Sequence, residues 1–306
     1  ATCWNEAAPC NIALNRQAIT AAKRYMGRPA GWTVVLITIV FAVYTLTLAA
    51  VVTGSLAVLP AFIMLAILTY FSYTPLHEAA HGNIHGERAD LAWLNELCGY
   101  VSAQLILVPY ATHRVEHFAH HRYTNQPDRD PDHVISGLSG GPLAIVKAVV
   151  GFMVSQWTYL FRDYWATAPF REKFTYFAEF SIALGWRFAL LTVLPLQTWL
   201  IVVLAAWFFG ALFTAYWFAY RPHHPYNETE RYRNTSSLVV PVWMRPLEWF
   251  WLGQNLHSVH HAFPRVPFYR YHALFREVEP VLRAHGGPVI GVFSRQHLPD
   301  LQGTKP

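Results

Sequence analysis

Three histidine clusters dominate the chemistry open to this chain: His77 and His81; His113, His117, His120 and His121; and His257, His260 and His261. Neutral imidazole is the commonest protein ligand for iron, zinc and copper, and several rings projecting one way are costly to bury without a cation. Residues three and four apart share a helix face. Each cluster repeats that spacing, while an adjacent pair such as His120-His121 points its rings about 100° apart around the helix. One segment can then serve two metals. His77, His81, His117, His120, His121, His257, His260 and His261 give eight ligands, where a single zinc site takes about four, so two ions are favoured over one.

Two familiar metal patterns compete with that reading. His77-Glu78-Ala79-Ala80-His81 spells HExxH, in which a zinc protease uses the Glu as general base. Such a protease leaves the second and third clusters without work. A carboxylate-bridged di-iron bundle pairs two ExxH motifs with two further Glu, and here Glu78 and His81 stand alone. All-histidine ligation remains, and a paired site beside lipid has most use for oxygen activation, which favours iron. Asp128, Asp130 and Asp132 follow the second cluster and could fix ring orientation from behind. Cys3, Cys10 and Cys98 form no CxxC pair, which argues against a zinc ribbon, an iron-sulfur centre or a disulfide framework.

The elements that must hold these histidines are membrane helices. Hydrophobic residues make up 54% of the 306 and charged residues 13%, about half the charged share of a soluble domain. The run from Trp32 to Leu76 carries no Asp, Glu, Lys or Arg, enough for two crossings with a turn near Gly54-Ser55. A second uncharged run, Phe188 to Tyr220, supplies one crossing and the end of another. The expected fold is an all-α integral membrane protein, a single domain over residues 1–306. Four transmembrane helices at about 32–53, 55–76, 175–194 and 196–220 form two hairpins beneath a cytoplasmic helical cap that carries the metal site. Leu91–Tyr110 and Pro142–Phe161 read as interfacial or re-entrant helices. Arg16, Lys23, Arg24 and Arg28 precede the first crossing and the outer turns carry no positive charge, so both termini and the metal site are expected on the cytoplasmic side. The net charge of +5 fits that bias, and no nucleic-acid motif accompanies it.

Several segments resemble the membrane fatty acid desaturase superfamily of histidine-box di-iron enzymes, over roughly Thr74 to Leu274. His117-Phe-Ala-His-His121 with Asn125-Gln-Pro-Asp-Arg-Asp-Pro-Asp-His133 and Gly140-Gly-Pro142 looks like the bacterial β-carotene hydroxylase branch. Tyr220-Arg-Pro-His223, Gly253-Gln-Asn-Leu-His-Ser-Val-His-His261, Pro264 and Val266-Pro-Phe-Tyr269 do so as well. The resemblance implies nine metal ligands: His77, His81, His117, His120, His121, His223, His257, His260 and His261. His224 is equal to His223 by spacing, but the His after Pro222 matches the family position. His85 and His113 fall outside the nine and stand as outer-layer candidates. No catalytic side chain apart from the metal set is implied. Some acyl desaturases hold water with an Asn where this chain has Ala219, which weakens transfer of acyl-desaturase detail.

The resemblance further implies two iron ions, O2 as co-substrate, and abstraction of hydrogen from an unactivated C–H followed by hydroxylation or desaturation. The expected substrate is a membrane-dissolved lipid, most of all a β-ring carotenoid, with a fatty acyl desaturase or hydroxylase as the alternative. An intramembrane zinc protease and a metal transporter or sensor are remoter readings. Tyr70, Phe71, Tyr73, Trp157, Trp207, Phe208, Tyr216 and Trp217 are candidates to line a substrate tunnel. Electrons must arrive from a separate ferredoxin or cytochrome and its reductase, with Arg114, Arg122 or Arg265 as docking candidates.

Overall fold

In the computed structural model, which describes residues 7–294, helix α1 (Ala7–Lys23) precedes the first long apolar pair, α2 (Gly31–Val52) and α3 (Val58–Ala80). The turn between the pair falls at Gly54, where φ is +71°, a conformation that glycine adopts without a Cβ penalty. Next come α4 (Ala92–Ile106) and α5 (Tyr110–Tyr123), bent by 95° across a three-residue break. A 3₁₀ segment, Pro131–Ser139, leads to α6 (Pro142–Tyr164), α7 (Phe170–Ala189) and α8 (Leu196–Tyr220). The chain closes with α9 (His257–Ala262) and α10 (Tyr271–Ala284). The expected all-helical fold needs one amendment. Strands β1 (Ser237–Val239) and β2 (Val289–Gly291) pair in parallel, Ser237 opposite Val289, and tie the last segment of the described chain beside α9.

Two cores result. One lies among α2, α3, α4 and α8, with Leu65, Leu76, Val202 and Ala206 fully enclosed. At Gly210 a Cβ would meet the Ala66 carbonyl at 2.5 Å, so glycine there lets α8 cross α3 closely. The other core joins α1 to α9 and α10 around Val259, Val266, Tyr271 and Leu274. Glu277 of α10 is paired with Arg24 and lies 2.5 Å from the Tyr25 hydroxyl.

The break between α4 and α5 is the structurally demanding point. Leu107 takes φ +58°, and the last carbonyls of α4 lose their helical partners. Side chains from three later helices replace them. Arg187 donates to the Gln104 and Leu105 carbonyls at 2.8 and 3.0 Å. Trp207 Nε1 donates to the Ile106 carbonyl and Trp157 Nε1 to that of Leu107, both at 2.7 Å. On the other side of the break, the Glu179 carboxylate accepts the Tyr110 N–H, the first of α5. Irregular backbone amid apolar helices is tolerated only where protein satisfies it in this way.

Four of the described helices are long and apolar enough to cross a membrane: α2, α3, α6 and α8; the bent pair α4–α5 makes a fifth if it counts as one span. The sequence reading places the third crossing at 175–194 and leaves Pro142–Phe161 at the interface, whereas by length and composition α6 qualifies and α7 does not. The reason is charge, since α7 carries Arg171, Glu172, Lys173, Glu179 and Arg187. Two of these charges are turned inward. Glu179 and Arg187 are 6% and 5% exposed, while Phe170, Phe174, Phe177 and Phe188 face outward.

Candidate metal centre

Nine histidines from four stretches of chain converge into two groups. His77, His81, His117, His121 and His260 form the first, and His120, His223, His257 and His261 the second, the nitrogens of each lying within 4.8 Å of one another. The C-terminal end of α3 delivers His77 and His81, α5 delivers three rings, the residues after α8 deliver His223, and α9 delivers three. Both adjacent pairs, His120-His121 and His260-His261, divide between the groups, as the rotation between neighbouring helix positions demands. The groups touch where His121 stacks on His261, centroids 4.3 Å apart.

Within the first group every contact is made by Nε2. His77 and His260 approach to 2.9 Å, His81 and His117 to 2.9 Å, and His121 reaches His260 at 2.8 Å and His117 at 3.1 Å. A neutral imidazole carries one N–H and one lone pair, so five mutually facing Nε2 atoms cannot all be satisfied by one another. A cation satisfies them all.

The outward ring nitrogens are held by residues that select this tautomer. His120 Nδ1 lies 2.8 Å from Asp130 Oδ1, His260 Nδ1 3.0 Å from the Tyr271 hydroxyl and His223 Nδ1 3.2 Å from Asn125 Oδ1. The carboxylate and the amide oxygen can only accept, so the Nδ1–H of His120 and of His223 is committed outward and the Nε2 lone pair left inward, and the Tyr271 hydroxyl can accept from His260 in the same way. Asn125 also donates to the Glu228 and Asn234 carbonyls at 2.7 Å, binding the second group to the loop after His223. Burial pushes the His223 and His261 imidazoles well below their ordinary pKa, and burial, then the neighbouring His120, takes His257 to about 3. These rings are neutral near pH 7. His223 Nε2 is buried without a hydrogen-bond partner, an orphan that metal ligation would resolve. Nine imidazoles and no thiolate or carboxylate in either group fit borderline ions, iron among them.

Glu78 does not serve the site. Its carboxylate accepts from Asn83 Nδ2 at 3.1 Å and Thr33 Oγ1 at 3.4 Å, and Asn83 in turn reaches the Pro264 carbonyl at 3.0 Å. It joins α2, α3 and the loop after α9, so the HExxH spacing does not supply a water-activating base. His85 Nδ1 is turned to the Gly82 carbonyl at 2.6 Å and His224 to Ser139, and neither lies in the two groups. His113 lies outside them too, stacked on His117 at 5.1 Å. Of the three aspartates, Asp130 bonds His120 and Asp132 stands 3.7 Å from it, while Asp128 is exposed. Arg114 is engaged by Glu172 at 2.7 Å and Glu96 at 3.7 Å, which removes it as a free docking cation. Arg122 and Arg265 are exposed.

Beside the groups runs an apolar cavity walled by Ile106, Phe152, Met153, Leu212 and Phe218. Of the aromatic residues proposed for a tunnel, Tyr73, Trp157 and Trp207 line it; Tyr70 and Phe71 pack instead against Phe250. Asn125 and Tyr271 carry no metal-site signature in the sequence, because their value lies in contacts to distant rings. Glu116 and Gln156, also on the cavity wall, are likewise invisible to motif reading.

Residues 53–293 match the family model described as fatty acid desaturase. The Delta(12) fatty acid desaturase fat-2 of Caenorhabditis elegans is 39% identical over 49 residues, a stretch that covers 16% of this chain and 13% of that protein. The match spans well under two thirds of the relative's length. A family match over most of the chain, apolar helices long enough for a bilayer and two buried histidine groups that could hold metal lead to one conclusion: the chain is an enzyme and belongs to the fatty acid desaturase family of membrane oxidoreductases.

Proposed function

We propose that this enzyme is a di-iron, O2-dependent oxygenase of a membrane-dissolved lipid and that its substrate is a β-ring carotenoid, which it hydroxylates. The observation that carries the reaction class is the convergence of nine imidazoles beside an apolar cavity. Held by the two groups, iron would supply O2 activation and hydrogen abstraction from an unactivated C–H. The protein's part is positional. His120, His223 and His260 are oriented by Asp130, Asn125 and Tyr271, and Tyr73, Trp157, Trp207 and Phe218 exclude water from the carbon to be oxidised. The carotenoid assignment draws on the segments Asn125–His133 and Gly140–Pro142.

The proposed topology is two hairpins, α2–α3 and α7–α8, with termini and metal centre cytoplasmic. Support for α7 as a crossing comes from its ends. Glu172 pairs with Arg114 at the histidine level, Trp186 packs on Tyr44 midway along α2 at 6.3 Å, and the Arg187 carbonyl accepts the Trp199 Nε1–H at the start of α8. Helix α6 instead stays beside the histidine-bearing segments, Gly151 against Val134 and Gln156 against Glu116, as an interfacial helix does. Electrons are proposed to come from a separate ferredoxin or cytochrome with its reductase, docking near Arg122 and Arg265.

A second reading, acyl-chain desaturation, is favoured by the stretch shared with the Delta(12) desaturase. Expression in a β-carotene-producing host with a ferredoxin system separates the two. Hydroxylated pigments are expected; unaltered pigments with new double bonds in membrane acyl chains would transfer the assignment to the second reading.

A further inference from the structure

Apart from the hydroxyls of Tyr73 and of Thr214, which donates to the Gly210 carbonyl, the polar groups of the cavity wall gather in one patch next to the histidine groups. That patch consists of His113 and Glu116 of α5, Asp132 of the 3₁₀ segment and Gln156 of α6, each at most 8% exposed. Gln156 Nε2 donates to Glu116 Oε1 at 2.5 Å and to Asp132 Oδ1 at 3.3 Å, which engages both amide hydrogens. The Gln156 amide also stands beside the His113 ring, yet its one carbonyl can satisfy only one of two ring nitrogens. Neither nitrogen of His113 has a hydrogen-bond partner within bonding geometry, and both are buried. Orphaned polar atoms of this kind are rare in folded proteins and call for a partner.

His113 is in neither metal group, and its ring is stacked on His117, one of the first group. A plain hydrocarbon lying in the cavity would leave the patch unpaired. A carbonyl oxygen would accept the His113 N–H, and a hydroxyl could in addition donate to the Glu116 or Asp132 carboxylate. We propose that the His113–Glu116–Asp132–Gln156 patch receives an oxygen atom of the substrate, so that the enzyme acts on a lipid already carrying a hydroxyl or carbonyl group near the oxidised carbon. This rests on the reading of the centre as a lipid oxygenase and adds a selectivity that reading does not contain. A site built to hydrogen-bond an oxygen rejects the analogue that lacks it.

Binding to the purified protein as isolated, without O2 or an electron donor so that no turnover occurs, tests the proposal, read by quenching of tryptophan fluorescence, since Trp157 and Trp207 line the cavity. Two probe pairs are titrated: β-carotene against its 4-keto derivative, and an octadecenoyl lipid against its hydroxylated counterpart. The oxygenated member of at least one pair is expected to bind about tenfold more tightly, and His113→Phe, which keeps the stack and removes both nitrogens, should bring the ratio close to one. Equal binding of both members of each pair by the wild type overturns the proposal even if the variant fails to fold, and so does a ratio that survives His113→Phe. A preference confined to the acyl pair supports the oxygen-binding patch and sinks the carotenoid reading, so the two failures are distinguishable.

Discussion

Asp130 and His120 meet at 2.8 Å, and the other oxygen of the same carboxylate accepts the Asn125 N–H at 2.7 Å. One fully buried acid thus fixes both a ring of the second histidine group and the loop that carries Asn125 to His223. Asp130→Asn should lower metal retention in the second group by about 10–100-fold while the first group keeps its ion. Metal analysis after dialysis against graded chelator measures this, and undiminished retention in the variant would show that the contact is dispensable.

Glu78 provides a test of chemistry against architecture. If it only ties Thr33 and Asn83 together, Glu78→Gln keeps the hydrogen-bonding outline and should change turnover by no more than about threefold. Removal of a general base would cost about 100-fold or more. A loss of that size, in a variant that keeps its metal and its fold, would revive the protease-like role.

Arg187 covers two carbonyls at the α4–α5 break. Arg187→Met retains most of the apolar stem but strips both donors, leaving buried acceptors unpaired. A destabilisation of about 2–4 kcal/mol is expected, read from unfolding in lipid nanodiscs. Wild-type stability in the variant would mean that other donors or water serve those carbonyls.

The metal-free protein should weaken in mild acid. His223, His257 and His261 are held below their ordinary pKa by burial, His257 at about 3, whereas in the unfolded chain each titrates near pH 6.5. Because the folded pKa is the lower one, protons favour the unfolded chain: the stability is present above about pH 6.5 and drains away as pH falls toward 3, at up to about 1.4 kcal/mol per pH unit for each ring. Unfolding followed in chelator from pH 7.5 to 5 measures the slope, and a flat profile would contradict it.

The local part of the centre was readable. The eight histidines counted as ligands from their spacing lie in the two groups, while His113, four residues before His117, does not: the i, i+3, i+4 pattern acts within a single helix and needs no tertiary knowledge, but it cannot tell a ligand from a neighbour. His223 was not, since it stands after α8 with only His224 for company, and its place came from family resemblance. Asn125 and Tyr271 were unreadable for a stronger reason: each acts on a ring that reaches it only through the fold, from 98 and 11 residues away. The uncharged runs announced α2, α3 and α8 because apolar length alone decides them. Helix α7, where the sequence reading places a crossing at 175–194, does not pass the same test of length and composition, because Glu179 and Arg187 subtract from its apolarity although both are buried against protein. Hydropathy counts such charges as if they met lipid.

The donors that cover the α4–α5 break also impose an order on the protein's making. Residues 104–107 leave the ribosome well before Trp157, Arg187 and Trp207 exist, and every side-chain donor to those four carbonyls comes from that later chain. Until α8 has been synthesised, the bend has no partner for the Ile106 carbonyl and cannot settle among the apolar helices at its native cost. The helix that aims the central histidines is therefore fixed only once Trp207 of α8 is in place, although its own sequence is made in the first half of the chain.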